Sequence, residues 1–325
     1  MSTLKDVAEK AGVTVTTVSR MLNNRGYVSE KTKKKIRQAM KELNYQPNAL
    51  ARALSRKKSD FIGLIVPSAS HMFFCKIVDY IEHYVSKHGY KLLLCNSNLE
   101  PKKEIEYFNM LSANKVAGVI IASRTQNIDK NIEIDAPVIS IDRVISPVIP
   151  SICSDNYQGG VLAAEHLIAK GCKKLVHISG SSNLNMDANK RFFGFKEVCE
   201  RKGVPYIVVD ATEDQFLSMH YEDIINMLLD KHPDIDGIFT SNDIIAAQAI
   251  AICKRRNIKI PDQIKIVGYD DIDLCTLISP SITTIRQSIK EICQYAVECI
   301  IYKADNKTIP SNVTFPVTLI ERETT

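Results

Sequence analysis

The sequence predicts a small all-α head followed by a larger, two-lobed α/β body with parallel sheets. Three observations predict it. The 325 residues are too many for one ordinary core. Residues 1–46 hold three short runs with apolar positions at helical spacing. From residue 60 onward, β-branched apolar runs alternate with helical stretches, the pattern of strands buried in parallel sheets. The composition, 45% apolar and 24% charged, fits a globular protein. The expected divisions are a head at 1–46, a linker at 47–59 and a body at 60–325.

In the head, Thr3 and Asp6 have the spacing of a capping box. Leu4, Val7, Ala8 and Ala11 then share a helical face, and Gly12 supplies the residue that ends the helix. Thr14 can cap a second helix with apolar positions Val15, Val18, Met21 and Leu22. Ser29 can cap a third, where Glu30 in the first turn is favoured by the helix dipole. Ile36, Ala39, Met40 and Leu43 form its apolar stripe, and Pro47 is expected to stop it. Two short helices around a tight glycine turn, braced by a third, make a helix-turn-helix module whose second helix enters the DNA major groove. Val15, Thr16 and Arg20 are the candidate base readers. Arginine can bond both acceptors of a guanine, and valine or threonine can touch a thymine methyl. Thr17, Ser19 and Asn23 are candidate phosphate contacts, joined by Thr3 and by Asn48 in the linker. Taken singly, each residue has a solvated helix face as its plain alternative; the spacing of the set points to DNA.

Charge agrees with this division. Residues 1–58 carry 14 Lys and Arg against 4 Asp and Glu, a net of +10 in a chain whose total is +5. The remainder is therefore −5, and a basic head on an acidic body is the asymmetry expected when only the head meets a polyanion.

The run TLKDVAEKAGVTVTTVSRMLN, then VSEKTKKKI, then ELNYQPNALARAL, resembles the head of the LacI/GalR family of bacterial transcriptional repressors, nearly unbroken through residues 3–54. The stretch NNRGYVSEKTKKKI is similar to the sucrose- and fructose-type members. From the residues alone, the linker with Ala49, Leu50, Ala51, Ala53 and Leu54 is either a marginal helix or a plain connector. The resemblance implies a hinge helix that folds on operator DNA, paired with its copy in the minor groove. Leu54 would then pry open the central base step, with Ala51 at the packed position and Arg52 near the backbone.

In the body, candidate strands lie at 61–66, 91–95, 118–122, 138–141, 174–179, 206–209, 237–240 and 264–268, with a last one near 313–320. Candidate helices include 73–87, 157–170, 191–202 and 244–256. About nine such units exceed one compact sheet, so two similar lobes are expected. The loops after the strands carry PSASHMFF, SIDR, SGSSNLNMDANKR, TSND, GYDD and IRQ. In a parallel sheet such loops open on one side, which places a ligand in the cleft between lobes. They offer aromatic faces, carboxylate acceptors and Arg or Asn donors, the set a sugar needs. The resemblance extends across the body, which is similar to the periplasmic-binding-protein-like sugar fold of ribose-type sites. It implies that Phe73 and Phe74 sandwich a sugar ring while Asp142, Arg143, Arg191, Asn242, Asp270 and Gln287 bond its hydroxyls. The chain departs from the family at Ser70-His71-Met72, where Asn-Pro usually precedes the aromatic pair. The structural alternatives are a core role for Phe73 and a turn cap for Asp270.

The chain has no G-x-S-x-G, G-x-x-x-x-G-K-[ST] or G-x-G-x-x-G motif, and its seven histidines lack metal-ligand spacing. Neither enzyme chemistry nor a metal or other cofactor is expected, although Asp142 and Asp270 invite comparison with a glycosidase pair. The nine cysteines are odd in number and scattered, which points to reduced thiols. The start MSTLKDVAEK has no apolar signal region, and no run of about 18 apolar residues occurs, so no membrane span and a cytoplasmic location are expected. The expected function is repression of a sugar-utilisation operon by a homodimer on a palindromic operator, released by a small sugar of ribose, fructose or sucrose type. Two alternatives stay open. One is a catabolite-control-type regulator with a phosphorylated carrier protein as corepressor. The other is a sugar-binding transport protein.

Overall fold

A computed structural model describes residues 2–22, 26–45, 59–182, 185–304 and 307–325. It divides into two compact units, the head and a body that begins at Phe61.

The head has helices α1 (Leu4–Ala11), α2 (Val15–Leu22) and α3 (Glu30–Glu42). Thr3 and Asp6 form the full capping box of α1, and Gly12 closes it at φ 66°. Thr14 caps α2, its hydroxyl accepting the amide of Thr17 at 3.2 Å. Val7, Ala8, Ala11, Val18, Ile36 and Ala39 form the core. Val15 lies outside this core and is exposed, which departs from its place in the apolar pattern of α2 but suits a base reader. Pro47 does not set the end of α3. The helix stops at Glu42, where Asn44 takes a left-handed φ of 45°. The amides of Tyr45 and Asn44 then bond back to Met40 and Lys41, a Schellman closure with asparagine in the glycine position.

The body contains two six-stranded sheets. The first lobe holds β1 (Phe61–Val66), β2 (Lys91–Asn96), β3 (Gly118–Ile121), β4 (Val138–Ile141), β5 (Ser151–Ser154) and β11 (Asn312–Phe315) in the order β11-β5-β4-β3-β1-β2, all parallel. The second holds β6 (Leu175–Ser179), β7 (Tyr206–Asp210), β8 (Gly237–Thr240), β9 (Lys265–Asp270), β10 (Thr283–Gln287) and β12 (Val317–Ile320) in the order β12-β10-β9-β8-β6-β7. In the second sheet only the β10–β12 pair is antiparallel. Inner strands such as β3 and β8 are buried throughout, as helices on both faces require, while the edge strands β2 and β7 are partly exposed.

Helices α4 (Met72–Lys87), α5 (Pro101–Ala113) and α12 (Ile289–Ala304) accompany the first sheet. Helices α6 (Asn156–Ala169), α7 (Lys190–Lys202), α9 (Glu222–Lys231) and α10 (Asp243–Arg255) accompany the second. Two short helices, α8 (Glu213–Ser218) and α11 (Leu274–Leu277), follow β7 and β9. The chain passes between lobes three times: from β5 into α6, from β10 into α12, and from β11 into β12.

The expected strand at 313–320 is in fact two strands. Pro316 cannot donate to a ladder, so β11 ends in one sheet and β12 begins in the other. Strands β5 and β10 were not expected: SICS and TTIRQ are too polar to read as apolar runs. Cys75 is exposed and the other eight cysteines are buried free thiols. Among the described residues, no helix is long and apolar enough to cross a membrane.

Candidate ligand cleft and DNA-reading helix

The segments after β1, β3 and β4 of the first lobe and after β6, β7, β8 and β9 of the second converge on one cavity of about 680 Å³, counted to its open mouth. The first lobe supplies His71, Phe73, Phe74, Arg124 and Asp142. The second supplies Arg191, Phe216, Tyr221, Asn242 and Asp270 among others.

Arg191 is set by helix packing. Helices α6 and α7 approach so closely that a Cβ on Gly160 would lie 1.9 Å from the carbonyl oxygen of Arg191, and one on Gly194 would lie 2.0 Å from that of Tyr157. The guanidinium then stacks 3.5 Å from the ring centre of Tyr269. Its Nε donates to Asn156 Oδ1 at 2.8 Å and its Nη1 to the carbonyl of Ser241 at 2.6 Å. Asn156 is itself fixed by donating to Asp187 at 2.9 Å.

Two carboxyls face this cation. Asp142, at φ 62° directly after β4, is half-buried, and its Oδ1 is buried with no partner among the described residues. Burial raises it to about 6 even though Arg191 pulls the other way. Asp270 ends β9 at φ 108° and accepts the Gln287 amide at 2.6 Å. Burial raises it well above the usual carboxylate range, again against Arg191. An unmet buried carboxyl oxygen costs free energy until a donor reaches it. A polyhydroxyl ligand supplies such donors.

Of the expected contacts, Phe73, Phe74, Asp142, Arg191, Asn242 and Asp270 line the cavity, whereas Arg143 and Gln287 do not. Arg143 turns back to donate to the carbonyls of Thr125 at 2.8 Å and Ser123 at 3.4 Å, because its side chain packs under the loop after β3. Gln287 stands behind Asp270 and orients it. Asn242 has a second duty: its Oδ1 caps α10 through the amide of Ile245 at 2.9 Å. Phe73 and Phe74 meet edge to face at 5.1 Å.

Among the lining residues that sequence reasoning missed, four are aromatic or charged. His71, inside the flagged PSASHMFF segment, stacks across the cleft on Phe216 at 4.9 Å. Burial, and secondarily Arg124, lowers its imidazole to about 4. Arg124 lies 4.2 Å over the same Phe216 ring and holds Glu213 of the opposite lobe through two bonds of 2.9 and 2.6 Å. Tyr221 is buried beside Asn242. Arg124 comes three residues after β3 and was legible on that ground; Phe216 and Tyr221 sit in the polar connection after β7.

On the head, Val15, Thr16 and Arg20 of α2 are exposed, while Thr17 and Ser19 are half-buried. Thr3 is exposed, and its hydroxyl is engaged in capping α1. Asn23, Asn48, Ala51, Arg52 and Leu54 lie outside the described residues.

Comparison with known proteins agrees along the whole chain. Residues 3–48 match the family described as bacterial regulatory proteins, lacI family. Residues 59–323 match the periplasmic binding proteins and sugar binding domain of the LacI family. The sucrose operon repressor of Streptococcus mutans is 40% identical over 320 residues, 98% of each chain. The ribose operon repressor of Halalkalibacterium halodurans is 38% identical over 326 residues, covering 100% of this chain and 97% of its own. The crystal structure of the Lac repressor dimer bound to operator and an anti-inducer superposes with a TM-score of 0.86 at 26% identity, covering 99% of this chain and 98% of that one. With both family regions present in order and a relative matched end to end at this identity, the chain belongs to the LacI family of bacterial regulatory proteins.

Proposed function

We propose that this chain is a sugar-responsive operon repressor. The observation that carries the reading is the cleft: Asp142 with an unmet buried oxygen, Asp270 and Arg191 converge on one cavity beside the Phe73–Phe74 pair. That is an acceptor-rich, aromatic-walled site for a polyhydroxyl ring. The head supplies the second half, with Val15, Thr16 and Arg20 exposed on a helix of the right kind for a major groove.

The protein acts as a homodimer on a two-fold symmetric operator, one head on each half-site. Residues 47–59 form the hinge that meets the minor groove, with Leu54 as its wedge. Sugar in the cleft changes the angle between lobes and weakens hinge pairing, so the sugar acts as an inducer. Ligand and operator are thereby linked by a coupling free energy of about 1–3 kcal/mol. The protein works in the cytoplasm, where the operator is, and its two cleft carboxyls bind rather than cleave.

A thermal-shift screen against ribose, fructose, sucrose and glucose tests the reading. A ligand that binds only the folded state raises the melting temperature. A clear shift with one sugar supports it. No shift with any of them removes the sugar and moves the weight to a protein corepressor, to be tested by pull-down with a phosphorylated carrier protein.

A further inference from the structure

We propose that the cleft is selective for an uncharged sugar over the phosphate ester of that sugar, and that His71 reads one of its hydroxyls. This rests on the sugar-binding reading above and names the ligand class within it.

The first ground is the charge inventory of the cleft. Among the described residues, the cations at or near it already have partners. Arg124 is held by both oxygens of Glu213. Arg191 is held by Asn156, the carbonyl of Ser241 and the Tyr269 ring. Arg143 is turned onto carbonyls outside the cavity. Lys190 pairs with Asp187 at 2.5 Å. Against these stand two carboxyls in the wall, the half-buried Asp142 with its buried Oδ1 and the buried Asp270. A phosphate monoester adds roughly 1.5 to 2 negative charges. It would meet Arg124 and Arg191 only through the N–H groups that those bonds leave over, and would set its charge against both carboxyls. An uncharged sugar donates a hydroxyl to Asp142 and disturbs none of these bonds.

The second ground is His71 itself. It is 3% exposed, and neither ring nitrogen has a partner among the described residues. It stands at the N-terminus of α4 but makes no capping bond, so the helix does not use its side chain. Its surroundings keep it neutral, with burial the larger cause and Arg124 the second. A neutral imidazole has one donor and one acceptor. A hydroxyl can meet either, whereas a phosphate dianion can only accept.

The test is calorimetric titration of the full chain with ribose, fructose, glucose and sucrose, each beside its phosphate monoester. The free sugar that binds is expected to do so at least about 100-fold more tightly than its ester, since like-charge juxtaposition in a buried site costs several factors of ten. Asp142→Asn is expected to narrow that ratio by about tenfold or more. His71→Ala is expected to weaken the free sugar by about tenfold, and His71→Asn, which keeps a donor and an acceptor, to restore most of it. An ester that binds as well as or better than the sugar overturns the selectivity and leaves the sugar-binding reading standing. Binding by neither form overturns both. Sugar affinity unchanged in a folded His71→Ala overturns the role of His71; if that variant does not fold, weak binding by His71→Asn does the same.

Discussion

Asp142 shows at one residue how the fold stores a demand for ligand. Its carboxyl stands at about 6 against 3.8 for an ordinary aspartate, chiefly through burial. The protonated form is therefore favoured by folding. That contribution is complete below pH 3.8 and is lost as the pH rises through 6. Asp142→Asn removes the charge, so its stability relative to the parent is expected to grow between about pH 4 and about pH 6, by up to about 3 kcal/mol. Urea unfolding at several pH values reads this directly; a difference that does not change with pH would contradict it. A sugar hydroxyl reverses the preference by favouring the ionised form, so the parent's sugar affinity should fall on acidification through pH 6. Arg191 is the second test at this scale. Arg191→Ala is expected to lower sugar affinity by about 10- to 100-fold, the worth of a charged hydrogen bond, while leaving operator affinity unchanged. The chain showed Asp142, Arg191 and Asp270 plainly, because each follows a readable strand or opens a readable helix. It could not show Arg124–Glu213, a pair 89 residues apart whose meeting depends on how two lobes close.

The elements explain why those side chains are held still. The α6–α7 pair approaches at Gly160 and Gly194, and the atom facing Gly160 is the backbone oxygen of Arg191. Gly160→Ala is expected to cost about 1–3 kcal/mol through overpacking, and also to weaken sugar binding by displacing the first turn of α7. A cost to stability without a loss of affinity would show that Arg191 is positioned by its hydrogen bonds alone. In the head, Thr3→Ala removes one half of a complete capping box and is expected to cost about 1 kcal/mol in thermal unfolding of the chain. Elements of strong pattern were legible to within a residue or two, as β1 and α4 show. Strands β5 and β10 were not, because helices bury their serines and threonines as fully as valines and the sheet supplies the hydrogen bonds. The change of sheet at Pro316 was hidden for a related reason: the two strands it separates form one continuous run in sequence.

At the scale of the whole molecule the claim is that sugar and operator bind one protein with opposed effects. Recognition of DNA is assigned to α2. Arg20→Ala is expected to weaken operator binding by about 1–3 kcal/mol while random DNA loses far less; an equal loss on both would reduce Arg20 to a phosphate contact. The coupling between sites is expected to change operator affinity by about 5- to 150-fold. The measurement that tests it most directly is the affinity of the full chain for a duplex selected by this protein from a random pool, titrated by fluorescence anisotropy with and without the sugar that raises its melting temperature. The account predicts nanomolar-range binding of a palindromic duplex without sugar and a loss of at least about fivefold with it. An affinity that the sugar leaves unchanged would contradict it.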